Sequence, residues 1–240
     1  MSRPSHSSGR PTAFDRALTD LAAGRPVLVY DGDNREGEAD ILYSAAAVTS
    51  ADISRLRNNG GGLVFVALSY GIAEVFELPY LHEVLDHPTA VFDSVGYDER
   101  PSFSFSVNHR STYTGITDED RALTVRTLGE AAARPETFDF AETFRAPGHV
   151  HLLRGATEGL HDRQGHTELA LALAEAAGCA PAIAGCEMLD DAGGALSRLL
   201  MPIRTPIEMI LSYFEVRISS TNSKLNGPKK YEPAVRTVAN

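Results

Sequence analysis

The sequence predicts an α/β or α+β domain built on a mixed β-sheet. Three observations carry this. Segments with helical apolar spacing alternate along the chain with short runs of β-branched and aromatic residues. The composition, 43% hydrophobic and 22% charged, is that of a globular protein. A chain of 240 residues can bury one large core.

The elements follow in order. Phe14, Ala17, Leu18, Leu21 and Ala22 share one face of a helix over Thr12 to Ala23, stopped by Gly24. Pro26 to Tyr30, PVLVY, reads as a short buried strand. Ser50 to Asn58 reads as a helix running into Gly60 to Gly62, and Leu63 to Leu68, LVFVAL, as a strand. Phe103 to Val107 alternates as a strand does, and Asp118 to Ala133 is a helix. Val150 to Leu153 is a strand, Thr167 to Ala177 a helix, and Ala182 to Cys186 a strand. Ile207 to Val216 closes the series as a last helix. Met1 to Pro11 and Arg217 to Asn240 are polar and read as a flexible N-terminus and a disordered tail. The expected domain therefore spans residues 12–216.

Charge narrows the function. The net charge is −10. Arg217 to Asn240 carries five Lys or Arg against one Glu, a net of +4, which leaves −14 for residues 1–216. That balance disfavours a strongly basic nucleic-acid binder. No apolar run has the length of a membrane span, and the N-terminus has no secretory apolar region. Two cysteines, Cys179 and Cys186, make neither a disulfide framework nor a four-cysteine zinc site, and they suit a reducing cytoplasm. No Walker A loop, G-x-S-x-G or H-E-x-x-H motif is present.

Five stretches could carry chemistry. Asp31 to Asp40, DGDNREGEAD, follows a buried strand. If Glu36 to Asp40 continues as a strand, Glu36, Glu38 and Asp40 share a face and need a cation among them; a solvated acidic turn explains the same run. Arg163 to Glu168, RQGHTE, opens a helix whose N–H groups, with Arg163 and Thr167, could cradle a phosphate. Capping by Thr167 is the alternative. In TYTGITDEDR, Thr117 and Asp120 resemble a capping box, which leaves Thr114-Gly115 unexplained. Cys186-Glu187-Met188 puts a carboxylate at the end of a strand, where α/β crevices form, while Cys186 reads as a small buried residue. Arg145 to Val150 places a Pro-Gly turn before His149, a potential proton shuttle at the start of a strand.

Taken in order, DGDNREGEAD, GGGLVFVAL, FSFSVNHR, TGITDEDRALT, FRAPGHVHLLR, EGLHDRQGHTELALALAEAAG and CEMLDDAGGALSR resemble the 3,4-dihydroxy-2-butanone 4-phosphate synthases of riboflavin biosynthesis, over roughly Phe14 to Arg198. The resemblance implies a sandwich of helices on a mixed sheet in a single domain. It implies a lyase that converts D-ribulose 5-phosphate to L-3,4-dihydroxy-2-butanone 4-phosphate and formate. The implied cofactor is Mg²⁺ or Mn²⁺, usually as a pair, with Glu36 and His166 as metal ligands. Arg35, Glu36, Asp40, Thr114, Arg163, Gln164, Gly165, His166, Thr167 and Glu187 would contact substrate, Arg163 and Thr167 holding its phosphate with Thr114. His149 and Glu187 take the catalytic positions. The family works as a cytoplasmic homodimer with sites at the subunit interface, without nucleic acid or membrane. The cyclohydrolase domain that often accompanies it has no counterpart here, so a monofunctional enzyme is expected. The segment LLMPIRTPIEMILSYFEV is shorter than the family's usual C-terminal elements. Rival readings are another metal-dependent sugar-phosphate isomerase or aldolase, an inactive metal- or phosphate-binding relative, and an acidic interaction domain.

Overall fold

Val27 and Val29 enter one core while Leu28 and Tyr30 enter another, and all four are buried. A strand buried on both faces needs helices on both sides of its sheet. The computed structural model describes residues 11–31, 36–90, 101–196 and 212–215. In chain order the elements are α1 (Ala13–Ala22), β1 (Val27–Tyr30), β2 (Ala39–Ser44), α2 (Ser50–Asn59), β3 (Phe65–Leu68), α3 (Tyr70–Val75), α4 (Leu81–Val84), β4 (Phe103–His109), α5 (Asp118–Ala133), α6 (Phe140–Thr143), β5 (Phe144–Arg154), α7 (His166–Ala176), β6 (Ala182–Glu187) and β7 (Ser212–Glu215).

The strands form one mixed sheet in the order β4-β5-β3-β6-β2-β1-β7. The β1–β7 and β3–β5 pairs are parallel, and the other neighbours are antiparallel. On one face Leu21 of α1 and Leu169 and Leu173 of α7 pack with Val29, Leu42, Phe65 and Ile183. On the other, Ile53 and Leu56 of α2 and Val125 and Leu128 of α5 pack with Leu28, Ile41, Val66 and Leu152. The architecture is the expected helix–sheet–helix sandwich. Local chemistry starts the helices where the sequence says: Thr12 with Asp15, and Thr49 with Asp52, form reciprocal capping boxes at α1 and α2.

Three expectations change. Ser212–Glu215 is a strand along the outer edge of β1, not part of a helix over Ile207 to Val216. Tyr213 and Phe214 suit a strand, β1 offers an open ladder of backbone groups, and a short apolar run does not distinguish strand from helix. Residues 207–211 and 216 of that expectation lie outside the described residues, as do 1–10 and 217–240. Second, β2 begins at Ala39, so Glu36 and Glu38 precede it and the alternating-face argument does not apply to them.

Third, the Pro-Gly segment is a bulge inside β5, not a turn ahead of it. Val107 pairs with Val150 but Asn108 pairs with Arg145, so residues 146–149 loop out of the ladder. The bulge contains a cis peptide bond at Ala146–Pro147. Gly148 is required there: a Cβ would stand 2.0 Å from the carbonyl carbon of Val107.

The topology gathers several chain ends at one edge of the sheet. Asp40 at the start of β2 pairs with Glu187 at the end of β6. Phe65 on β3 partners Gly185 on one side and His151 on the other, so Glu187 and His149 emerge at the same end, with β3 between their strands.

Gly129 tests how closely α5 fits its neighbour. Within a helix Ala is favoured over Gly by about 1 kcal/mol. A Cβ on Gly129 would lie 2.2 Å from the Ala46 nitrogen and 2.6 Å from its Cα, both backbone atoms that cannot rotate away. Overpacking of this kind costs about 1–3 kcal/mol and outweighs the propensity gain. Gly129→Ala should therefore lower the urea midpoint, and an unchanged or raised midpoint would show that the α5 contact yields freely.

Candidate active site

Asp31, at the end of β1, is buried and folds the acidic segment back on itself. Its Oδ2 accepts the Glu36 N–H at 3.0 Å and its Oδ1 the Glu38 N–H at 3.1 Å. This hairpin-like return, rather than strand alternation, groups the carboxylates. Arg35 lies outside the described residues.

His166, the first residue of α7, is delivered into that group and is 9% exposed. Its Nδ1 lies 3.5 Å from Glu36 Oε2, and its Nε2 lies 3.8 Å from Asp40 Oδ1 and 4.0 Å from Asp31 Oδ1. Nε2 is also 3.3 Å from the Glu38 carbonyl oxygen. Ligand atoms of Asp31, Glu36 and His166 fall within 4.8 Å of one another. Asp40 Oδ1 is buried with no hydrogen-bond partner among the described residues. Converging carboxylate oxygens, one imidazole and a buried oxygen without a donor fit a hard divalent cation such as Mg²⁺ or Mn²⁺.

The electrostatics agree. Burial, with the neighbouring negative charges of Glu187, Glu38 and Glu36, pushes Asp40 up to about 7. Burial and Glu36 raise Glu38, and burial raises Glu187. Burial opposes the charge on His166, but the attraction of Asp40, the Glu36 hydrogen bond and Asp31 outweigh it and lift His166 to about 10. Without a metal, the cluster holds a proton on His166 in the place of a cation.

Beside the cluster, Gly165 is the N-cap of α7 and contributes no side-chain cap. Thr167 is the second helical residue and buried, so it does not cap the helix as the alternative sequence reading supposed. Arg163 lies 3.8 Å from the buried carboxylate of Glu168, which also accepts the Ala156 N–H at 3.1 Å. Gln164 is partly buried between Arg163 and Gly165.

His149 and Thr114 make their contacts elsewhere. The His149 ring is beside the Asn108 amide. Thr114 Oγ1 donates to Asp120 Oδ2 at 3.4 Å, and the Gly115 N–H donates to the same oxygen at 2.9 Å. Asp120 does give its N–H to Thr117 Oγ1, but its carboxylate braces the Thr114–Gly115 turn. The capping-box resemblance was thus half of the arrangement, and the other half explains that turn. Cys186 is fully buried, and burial pushes its thiol up to about 11, as suits a packing residue.

Sequence reasoning missed Asp31, Asn108 and Glu168. Asp31 opens the acidic run directly after a buried strand, a usable signal. Asn108 lies within FSFSVNHR and Glu168 within RQGHTE, but sequence alone does not show the contacts that set them beside His149 and Arg163.

A sequence profile of the 3,4-dihydroxy-2-butanone 4-phosphate synthases matches residues 15–203. A 3,4-dihydroxy-2-butanone 4-phosphate synthase of Archaeoglobus fulgidus is 46% identical over 198 residues, which cover 77% of this chain and 83% of the relative. The riboflavin biosynthesis protein RibBA of Bacillus cereus is 34% identical over 182 residues, 75% of this chain and 41% of that protein. A crystal structure of a 3,4-dihydroxy-2-butanone 4-phosphate synthase in complex with two magnesium ions superposes with a TM-score of 0.61 at 30% identity, covering 76% of this chain and 80% of that one.

The proton held by His166 sets a pH dependence. A cation entering the cluster must displace it, and below about pH 7 Asp40 also carries a proton that competes with metal. Mg²⁺ or Mn²⁺ affinity should rise with pH, by about tenfold per pH unit for each proton displaced. Calorimetry in buffers of different ionisation enthalpy would read the released protons directly. A pH-independent affinity without proton release would place the ion elsewhere.

Proposed function

The chain belongs to the 3,4-dihydroxy-2-butanone 4-phosphate synthase family, and from that premise we propose how its residues divide the reaction. The enzyme is a lyase of riboflavin biosynthesis. It converts D-ribulose 5-phosphate to L-3,4-dihydroxy-2-butanone 4-phosphate and formate, with Mg²⁺ as cofactor.

Glu36 and His166 hold the metal, with Asp31 as a third candidate ligand; the observation that carries this is their convergence within 4.8 Å. Mg²⁺, when bound, acts as a Lewis acid towards the substrate's oxygens. Arg163, Gln164, Gly165 and Thr167 receive the phosphate, an arrangement supported by the N-terminus of α7 and its lack of a side-chain cap. Thr114 adds a hydroxyl to that group. Arg35, Glu36, Asp40 and Glu187 orient the sugar.

The chemistry begins with removal of a proton next to the ketone, then loses water, rearranges carbon and releases one carbon as formate. Each stage needs a group that can take or give a proton near neutral pH. Asp40 and Glu187 are suited to it because burial raises both above ordinary carboxylates. His149 is a further proton carrier.

We place the active site between two copies of the chain, the Thr114 turn and His149 of one copy meeting the carboxylate cluster of the other. Support comes from exposure: His149 is exposed, and beside Thr114 the apolar Tyr113 and Ile116 are 94% and 50% exposed. The cytoplasmic setting is part of the same reading, supported by free Cys179 and Cys186. Among the described residues no helix is long and apolar enough to cross a membrane.

Three measurements test these assignments. Formate release from D-ribulose 5-phosphate should require Mg²⁺ and stop with EDTA. Glu187→Gln and His149→Gln should each lower kcat by about 10²- to 10⁴-fold; full turnover in either variant removes that residue from the proton-transfer set. Mixing the inactive His149→Gln and Arg163→Ala proteins after subunit exchange should restore about a quarter of wild-type activity, because half the dimers are mixed and each holds one intact site. No recovery from exchanged dimers would confine each site to one chain.

A further inference from the structure

The bulge in β5 exposes backbone N–H groups that the sheet ladder no longer serves, and such groups must find other acceptors. Two side chains of β4 supply them. The Gly148 N–H donates to Ser106 Oγ at 3.2 Å, and the His149 N–H donates to Asn108 Oδ1 at 2.8 Å. Asn108 is 4% exposed. Its amide is held from the far side too: a Cβ on Gly115, whose φ is +90°, would stand 2.0 Å from Asn108 Nδ2. Only glycine lets the Thr114–Gly115 turn close over that amide.

The backbone bond fixes which end of the amide is which. An N–H needs an acceptor, so the atom 2.8 Å from the His149 nitrogen is the oxygen. The NH₂ end then lies 3.2 Å from His149 Nδ1, while Oδ1 is 3.3 Å from it. Nδ2 carries two hydrogens to give, while one lone pair of Oδ1 is taken by the His149 N–H.

We propose that Asn108 is a positioning residue that sets the tautomer of His149. Its NH₂ group donates to Nδ1, so the neutral ring carries its proton on Nε2. His149 thereby enters the reaction with Nε2 as the proton donor. The same amide links the ring to the Thr114 turn, so the substrate hydroxyl contact and the proton carrier move as one unit. This rests on the reading of His149 as catalytic, and the experiment separates the two claims.

Asn108→Asp distinguishes tautomer control from support of the bulge. Aspartate keeps an oxygen for the His149 backbone N–H, but its ionised carboxylate has no hydrogen to give Nδ1 and accepts one instead. In ¹⁵N-histidine NMR at about pH 8, where an ordinary imidazole is neutral, wild-type His149, assigned by the signal lost in His149→Gln, should show an unprotonated Nδ1 and a protonated Nε2. Asn108→Asp should reverse them. Its kcat should fall about tenfold or more, while KM for D-ribulose 5-phosphate and the thermal shift given by Mg²⁺ stay near wild type.

A protonated Nδ1 in the wild type overturns the proposal, and that spectrum decides the matter even if the variant does not fold. A reversed tautomer with wild-type kcat also overturns it. Full turnover in His149→Gln removes the catalytic reading beneath it, whereas an inactive His149→Gln with a reversed, slow Asn108→Asp supports both.

Discussion

Like-charge repulsion at the end of the sheet is the constraint around which the site is built. Asp31, Glu36 and Asp40 approach one imidazole within 3.5–4.0 Å, and Glu38 and Glu187 add to the field. Burial removes the solvent that would screen them. Such a group is tolerable only with positive charge inside it. The α7 helix provides this by placing His166 at its first position. A divalent ion would answer the same negative field that raises the pKa of His166. Asp40 Oδ1, buried and without a hydrogen-bond donor among the described residues, is the atom on which that demand falls most directly.

Secondary structure was legible where local chemistry and periodicity agreed. The Thr12 and Thr49 caps, the LVFVAL run and the amphipathic face of α1 each signal their element without help from the rest of the chain. The misses share a cause, which is that contacts the periodicity does not carry decided the local outcome. Tyr213 and Phe214 become a strand because β1 lies alongside. The acidic segment turns because Asp31 gathers the N–H groups of Glu36 and Glu38. The Pro-Gly segment bulges because Phe144 and Arg145 continue pairing with β4 on its far side. For the site, motif order pointed to Glu36 and His166, which the fold brings together with Asp31. The contacts of Asn108 with His149 and of Glu168 with Arg163 were not legible, because they form only in the fold.

The bulge shows how a sheet can present His149 while its ladder resumes on the far side. A regular β5 would place the residue after Gly148 within the pleat, fixed by backbone bonds to β4. Looping out residues 146–149 releases the His149 backbone from that spacing, and Ser106 and Asn108 restore the hydrogen bonds it forfeits. Two tight glycine contacts, Gly148 against Val107 and Gly115 against Asn108, allow the substitute bonds to form. Precision at His149 thus depends on side chains that never need to touch substrate.

The proposed assignment sets a conflict between the two ends of the substrate, and the α7 helix resolves it. A phosphate needs positive potential, whereas the metal ligands create a strongly negative one a few residues away. Successive residues of the first turn point to different sides of a helix. His166 faces the carboxylates, and Glu168 faces the loop at Ala156 and lies towards Arg163. The buried carboxylate of Glu168 lies 3.8 Å from the Arg163 guanidinium, on the side of the helix away from the carboxylate cluster. The N–H groups and dipole of α7 add positive potential on the phosphate side. On the proposed assignment, a single helical turn keeps cation and anion binding adjacent but distinct, as a substrate with a phosphate at one end and chelating oxygens at the other requires.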